Sequence, residues 1–228
     1  MDARAKRIFV AAVCAGECCA AHADELWPEV DLYKQLSPIA RLVCGGSWAR
    51  DKESDKLTVD LAAYADLTLE PFSRGSGEPE EWHKKKYLWV RLGYTHVFNG
   101  EGGQRAGAEE RLVGAAYARA WLPLGLAAEA RARADLRWIS GDYSTRLRFR
   151  LELNRDFDLF GHTLTLYGQA EQFYDTRYDG WSRGLYQGGA DFAVTGWFKV
   201  ETYLARQIDR LPAGKALTAI GLIAKFYD

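Results

Sequence analysis

From 128 to 138 charged and apolar residues alternate without a break. Glu129, Arg131, Arg133, Asp135 and Arg137 fall on one side of an extended chain, and Ala128, Ala130, Ala132, Ala134, Leu136 and Trp138 on the other. After Ser140, Gly141 and Asp142 the pattern resumes, with Arg146, Arg148, Arg150, Glu152 and Asn154 set against Leu147, Phe149, Leu151 and Leu153. A period of two means strand, because a helix with about 3.6 residues per turn would scatter these arginines around its circumference. The stretch 124–155 therefore reads as a long β-hairpin with one charged and one apolar face.

Alternation does not say which face is inside. Length favours lipid outside: each strand runs about 11 residues, what a tilted strand needs to cross a bilayer, whereas soluble strands cluster near 5–6. A dense, mixed-sign charged face suits the polar lumen of a small outer-membrane barrel. The expected fold is all-β: a single up-and-down antiparallel transmembrane barrel with charge inside and lipid outside.

The rest of the chain carries the same pattern. Further extended segments fall at 27–36, 39–50, 56–69, 87–98, 109–120, 163–171, 184–193, 197–206 and 216–227, giving eleven with the hairpin. Bacterial single-chain barrels have even strand numbers. Setting aside the first segment gives about ten strands with both termini on the periplasmic side; twelve is the alternative. Tighter connections follow segments one, five, seven and nine, and longer polar ones follow two, four, six, eight and ten. The polar stretch 71–86 is long but lies on the tight side. Trp121 and Trp197 fall beside short turns, and Trp48 and Trp138 near the other ends, as in two aromatic girdles. The glycines at 100, 102 and 103 lack the strand–loop–helix context of a phosphate cradle and read as a hairpin tip.

Residues 1–23 read as a cleavable signal peptide, with basic Arg4, Lys6 and Arg7, a short apolar core at 8–15 and an A-x-A site at Ala21–Ala23. A lipoprotein cysteine at Cys14 or Cys18 is the alternative, but neither has the usual Leu-x-Gly/Ala lead-in. Cleavage leaves Cys44 as the one thiol, a small hydrophobe on an apolar strand face. It also removes three basic and two acidic residues from the 30 and 31 of the chain, leaving 24–228 as one barrel domain of net charge −2. Such a balance gives no reason to expect nucleic acid.

The chain resembles the domain-of-unknown-function 2490 family of predicted outer-membrane barrels. The likeness rests on Trp27-x-Glu29-Val30, the Leu-Gly-Tyr-x-His run from Leu92 to His96, Glu109 to Arg111, the arginines around Arg133 and from Arg146 to Arg150, and the Glu-Phe strand end from Gln169 to Phe173. The resemblance implies architecture and location but no activity. At the C-terminus the usual final aromatic is displaced: Phe226 is followed by Tyr227 and Asp228.

The expected lumen-lining network comprises Arg91, Arg111, Glu129, Arg131, Arg133 and Asp135, continued by Arg146, Arg148, Arg150, Glu152, Glu171 and Glu201. Two readings apply: a basic strip selecting anions, or charges paired with Glu109, Glu129, Asp135, Glu152, Glu171, Asp191 and Glu201 that fill a narrow bore. Buried charges need partners, and about eight strands are already filled by side chains. The paired reading leads, giving a structural or narrow, porin-like passive channel.

Two alternatives remain. A lipid hydrolase or acyltransferase would need a rim histidine with a nucleophile. His83 lies in a charged connection, His162 at a short turn, and His96 on the lipid-facing parity. Asp175, Tyr178 and Asp179 could meet a cation in a loop, but no metal-ligand spacing appears. The other alternative is a soluble periplasmic barrel with apolar residues inside, binding an apolar ligand. No cofactor or metal is expected. The expected location is the outer membrane of a Gram-negative bacterium, as a monomer among outer-membrane lipids and lipopolysaccharide, inserted by the barrel-assembly machinery.

Overall fold

The computed structural model describes residues 23–51, 56–73, 79–101, 104–212 and 214–228. The expected signal peptide, except Ala23, lies outside the described residues. The described residues form eleven strands: β1 (Glu25–Ser37), β2 (Ala40–Asp51), β3 (Lys56–Leu67), β4 (Leu88–Glu101), β5 (Gln104–Trp121), β6 (Leu126–Ile139), β7 (Asp142–Leu159), β8 (His162–Asp175), β9 (Gly180–Thr195), β10 (Phe198–Asp209) and β11 (Lys215–Tyr227). Consecutive strands pair antiparallel, and β1 pairs β11 to close the barrel.

The closure is parallel, from Glu25↔Ala219 to Tyr33↔Tyr227. This corrects the expectation of ten strands. The even-number rule assumes that the first and last strands run in opposite directions, whereas a parallel seam admits an odd count. It also puts the ends of the described chain at opposite rims rather than the same one. Asp24 hydrogen-bonds the Thr218 carbonyl where β1 begins, and Asp228 donates to the Tyr33 carbonyl where β11 ends. We call these the N-terminal and C-terminal rims.

The hairpin register is the one the alternation requires: Arg133 pairs across from Arg148 and Ala132 from Phe149. Two-residue turns join β6 to β7 and β7 to β8. Both central residues have positive φ (Ser140 53°, Gly141 95°; Phe160 57°, Gly161 79°), the mirror-image turn that matches strand twist. The connection expected at 173–183 is mostly strand. Pairing continues to Asp175↔Gly180, because Phe173 and Asp175 keep the inward parity while Tyr174 packs edge-on against Trp181 on the outside, 5.8 Å between centroids.

Between β3 and β4, long on an otherwise tight rim, the described residues include two 3₁₀ segments, Glu70–Phe72 and Pro79–Lys85. Trp82 on the second is 2% exposed and packs with Trp89, Ala115 and Tyr117, all inward residues of the wall. The segment is therefore a stopper in the C-terminal rim, not an external loop.

Every strand presents large apolar or aromatic side chains outward, among them Leu32, Leu42, Leu61, Leu92, Leu112, Leu136, Leu151, Leu166, Tyr186, Leu204 and Leu222, all exposed. Trp48, Trp138 and Trp181 stand toward the N-terminal rim and Trp197 at the C-terminal rim, also exposed. The buried side is polar: Asp66, Asp135 and Asp175 are at most 1% exposed. This inversion overturns the apolar interior that the soluble-carrier alternative required. The alanines of β6 at 130 and 132 are on the outer face, exposed.

Candidate functional site

The candidate site is the lumen. A central cavity of about 550 Å³ runs along it, lined by residues from every strand and by His83 and Lys84 of the stopper. Of the expected network, Arg91, Arg111, Glu129, Arg131, Arg133, Arg148, Arg150, Glu152, Glu171 and Glu201 line it. Asp135 lies behind Arg133, which donates to it at 2.5 Å. Arg146 stands at the N-terminal rim, where it donates to Asp175 at 3.0 Å beside a second cavity.

On the arginine side a carboxylate is repeatedly shared between two guanidinium groups. Glu171 accepts from Arg131 (2.5 Å) and Arg148 (2.8 Å), and Glu129 from Arg119 (3.0 Å) and Arg150 (2.9 Å). Glu109 takes Arg111 (2.7 Å) and Arg137, Asp175 takes Arg137 (2.6 Å) and Arg146, and Asp66 takes Arg41 (2.7 Å) and Arg91 (2.6 Å). Such charge-assisted pairs, held away from water, are strong and directional. They also leave an excess of positive charge along the wall.

The expected partners Asp191 and Glu201 do not join this set. Both accept from Lys225, at 2.6 Å for Asp191, and Glu201 also accepts from the Tyr167 hydroxyl. The physical reason is the register: Asp191 of β9 and Glu201 of β10 are cross-strand partners, and β10 pairs with β11, which brings Lys225 within reach of both. Several lumenal groups lie outside the expected network: alternation puts Arg41, Asp66 and Arg119 on the polar side of their strands but does not assign them partners, Lys225 carried no expectation, and Glu29 and Asp31 were set aside with the first segment. Glu29 and Asp31 had a signal, since they alternate with Val30 and Leu32. Arg41 and Asp66 sit 25 residues apart, and only the β2–β3 register brings them together.

The stopper is held by a column of cations and rings. Lys199 Nζ lies 5.5 Å from the Tyr227 ring, which stacks on Tyr33 at 4.7 Å; the Arg41 guanidinium is 4.7 Å from both Tyr33 and Trp82, and Lys86 Nζ is 5.2 Å beyond Trp82. Cations over aromatic faces gain more where water is excluded. Lys84 donates to Asp156 (2.8 Å) and Thr165 (3.3 Å) on the opposite wall. Burial, then the cations Arg119, Arg41, Lys199 and Lys84, hold the His83 pKa well below its ordinary value. Burial and Lys85 likewise lower that of Lys86.

The other histidines stand apart from the lumen. His96 projects outward from β4, with Glu110 at 2.7 Å and the Phe98 ring at 4.1 Å; His162 Nδ1 lies 3.0 Å from the Ala193 carbonyl. Asp175, expected as a cation-meeting loop residue, is a buried partner of arginines, and Asp179 accepts from the Tyr174 hydroxyl at 2.6 Å. Among the described residues no cluster of His, Cys, Asp and Glu has the arrangement of a metal site.

The family described as "Protein of unknown function (DUF2490)" matches residues 81–218. No curated protein matches the chain.

Proposed function

Because the chain belongs to the DUF2490 family, and its barrel carries charge within and an apolar belt without, we propose that it is an integral outer-membrane protein of a Gram-negative bacterium. Its ion-paired lumen would serve as a narrow, porin-like passive passage, stoppered by its own β3–β4 connection. The observation that carries this reading is the outer belt. Soluble monomers rarely expose contiguous apolar patches beyond a few hundred Å², and here all eleven strands contribute, with Leu92 54% and Leu151 57% exposed. A belt flanked by tryptophans toward both rims is what a bilayer solvates.

The signal peptide at 1–23, export, insertion by the barrel-assembly machinery and contact with outer-membrane lipids and lipopolysaccharide belong to the same proposal, as does a monomeric state. No catalytic role is proposed. His96 faces outward beside Glu110 rather than a nucleophile, and His83 is enclosed among cations.

The test is extraction of the cell envelope followed by gel mobility with and without boiling. The expected result is a band that needs detergent to leave the membrane and shifts on heating. A protein released without detergent and indifferent to boiling would overturn the membrane reading.

A further inference from the structure

The central cavity is charged unevenly around its circumference. Along the middle of β5 to β8 the guanidinium groups of Arg119, Arg131, Arg133, Arg148 and Arg150 share four carboxylates: Glu171 serves Arg131 and Arg148, Asp135 serves Arg133 at 2.5 Å and Arg148 at 3.9 Å, Glu129 serves Arg119 and Arg150, and Glu152 lies 3.7 Å from Arg150. Glu171 and Asp135 are the deeper partners, 2–3% exposed at the side chain against 10–19% for their arginines, so at that point the bore meets guanidinium first. Across the ring the stoichiometry is reversed. Lys225 is shared between Asp191 and Glu201, while Glu29 and Asp31 project from the neighbouring β1, Asp31 accepting from the Tyr33 hydroxyl at 2.8 Å. In the closed order of eleven strands, β1 stands opposite β6 and β7. All of these groups except Asp135 line the same cavity.

We propose that this cavity is a binding site for a small zwitterion, an aminocarboxylate-type solute, lying across the bore with its oxyanion on Arg131, Arg133 and Arg150 and its ammonium on Glu29 and Asp31. Two opposed charge banks in a low-dielectric wall set up a field across the lumen, and a field orients a dipole while giving a monovalent ion one good partner and one bad one.

The proposal deepens the passage reading by naming its solute class. Binding is measured on the folded full-length protein, so it fails or stands separately from membrane location and conductance. Titration calorimetry at low salt would compare 6-aminohexanoate with hexanoate and hexylamine. The expected result is at least tenfold tighter binding of the zwitterion than of either single-charge analogue. The double variant Glu29→Gln, Asp31→Asn should drop 6-aminohexanoate to the level of hexanoate while keeping the heat-shifted band of the folded barrel. Hexanoate or hexylamine binding as well as 6-aminohexanoate would overturn the proposal, as would no binding of any of the three. The wild-type comparison decides even if the variant does not fold.

Discussion

The Arg41 guanidinium is held between two aromatic faces, 4.7 Å from the Trp82 ring of the stopper and 4.7 Å from the Tyr33 ring of β1. Asp66 fixes that guanidinium from the side and is itself fully buried. The same contact thus joins the stopper to β1 and β2, beside the parallel seam where Tyr33 meets Tyr227. A connection that composition alone marks as solvated chain is in fact part of the barrel's interior packing.

Trp82→Ala should therefore release the stopper while leaving the barrel closed. Truncating a buried tryptophan costs about 3–5 kcal/mol, here charged mainly to docking because the wall has its own hydrogen-bond ladder. The check is limited proteolysis of folded protein, with cleavage within 68–87 much faster in the variant. Single-channel recording should show larger or more frequent openings, and Trp82→Phe should fall between the two.

Docking should also depend on pH through His83. Burial and the surrounding cations depress its pKa when docked, whereas the released segment titrates near the ordinary 6.5. Between those two values the released form binds a proton that the docked form excludes. Docking is therefore strongest above about pH 6.5 and weakens as pH falls below it. Proteolysis within the connection should rise between pH 7 and 5 and lose most of that rise in His83→Asn. A flat profile in the wild type would count against a half-buried His83 held neutral by its surroundings.

How much of this was legible in the sequence follows from what each feature depends on. The facing of Arg133, Arg148 and Leu151 could be read directly, because pleating turns parity into a side of the sheet. The pairing of Arg41 with Asp66 could not, since 25 residues and an unknown register separate them. Parallel closure of β1 on β11 left no local mark: Glu29 and Asp31 alternate as they would in either direction. The stopper hid for another reason. The stretch 71–86 has the Gly, Pro, Glu and Lys of an exposed loop and no periodicity, and the burial of Trp82 depends on contacts from β2, β4 and β5 rather than on its neighbours in the chain. The reversal of charge stoichiometry around the lumen likewise appears only once ring order is known.

Gly221→Ala should strain the wall at one defined point. The Tyr203 ring lies flat over Gly221, so an added Cβ would fall 1.9 Å from Tyr203 Cζ. The ring would have to swing toward the bore or the β10–β11 pairing shift, and overpacking of this kind typically costs about 1–3 kcal/mol. A lower temperature for the heat-dependent gel shift would report it. Tyr203→Ala in the same chain should recover part of the loss, since residues in direct contact couple.

Arg148→Leu and Leu151→Arg separate the two faces of a single strand. Arg148 donates to Glu171 at 2.8 Å and lies 4.6 Å from the Phe173 ring, so its loss leaves a buried carboxylate short of one cation and should destabilise the barrel in any solvent. Leu151 is 57% exposed on the outside and touches whatever surrounds the barrel. In water an arginine there would cost almost nothing, because surface substitutions usually stay within about 0.5 kcal/mol. In a bilayer it should cost about 2–4 kcal/mol near the midplane. Urea unfolding of both variants in lipid vesicles is the measurement. A heavy cost for each supports charge inside and lipid outside, whereas an Arg at 151 tolerated as well as leucine would mean that water, not lipid, meets that face.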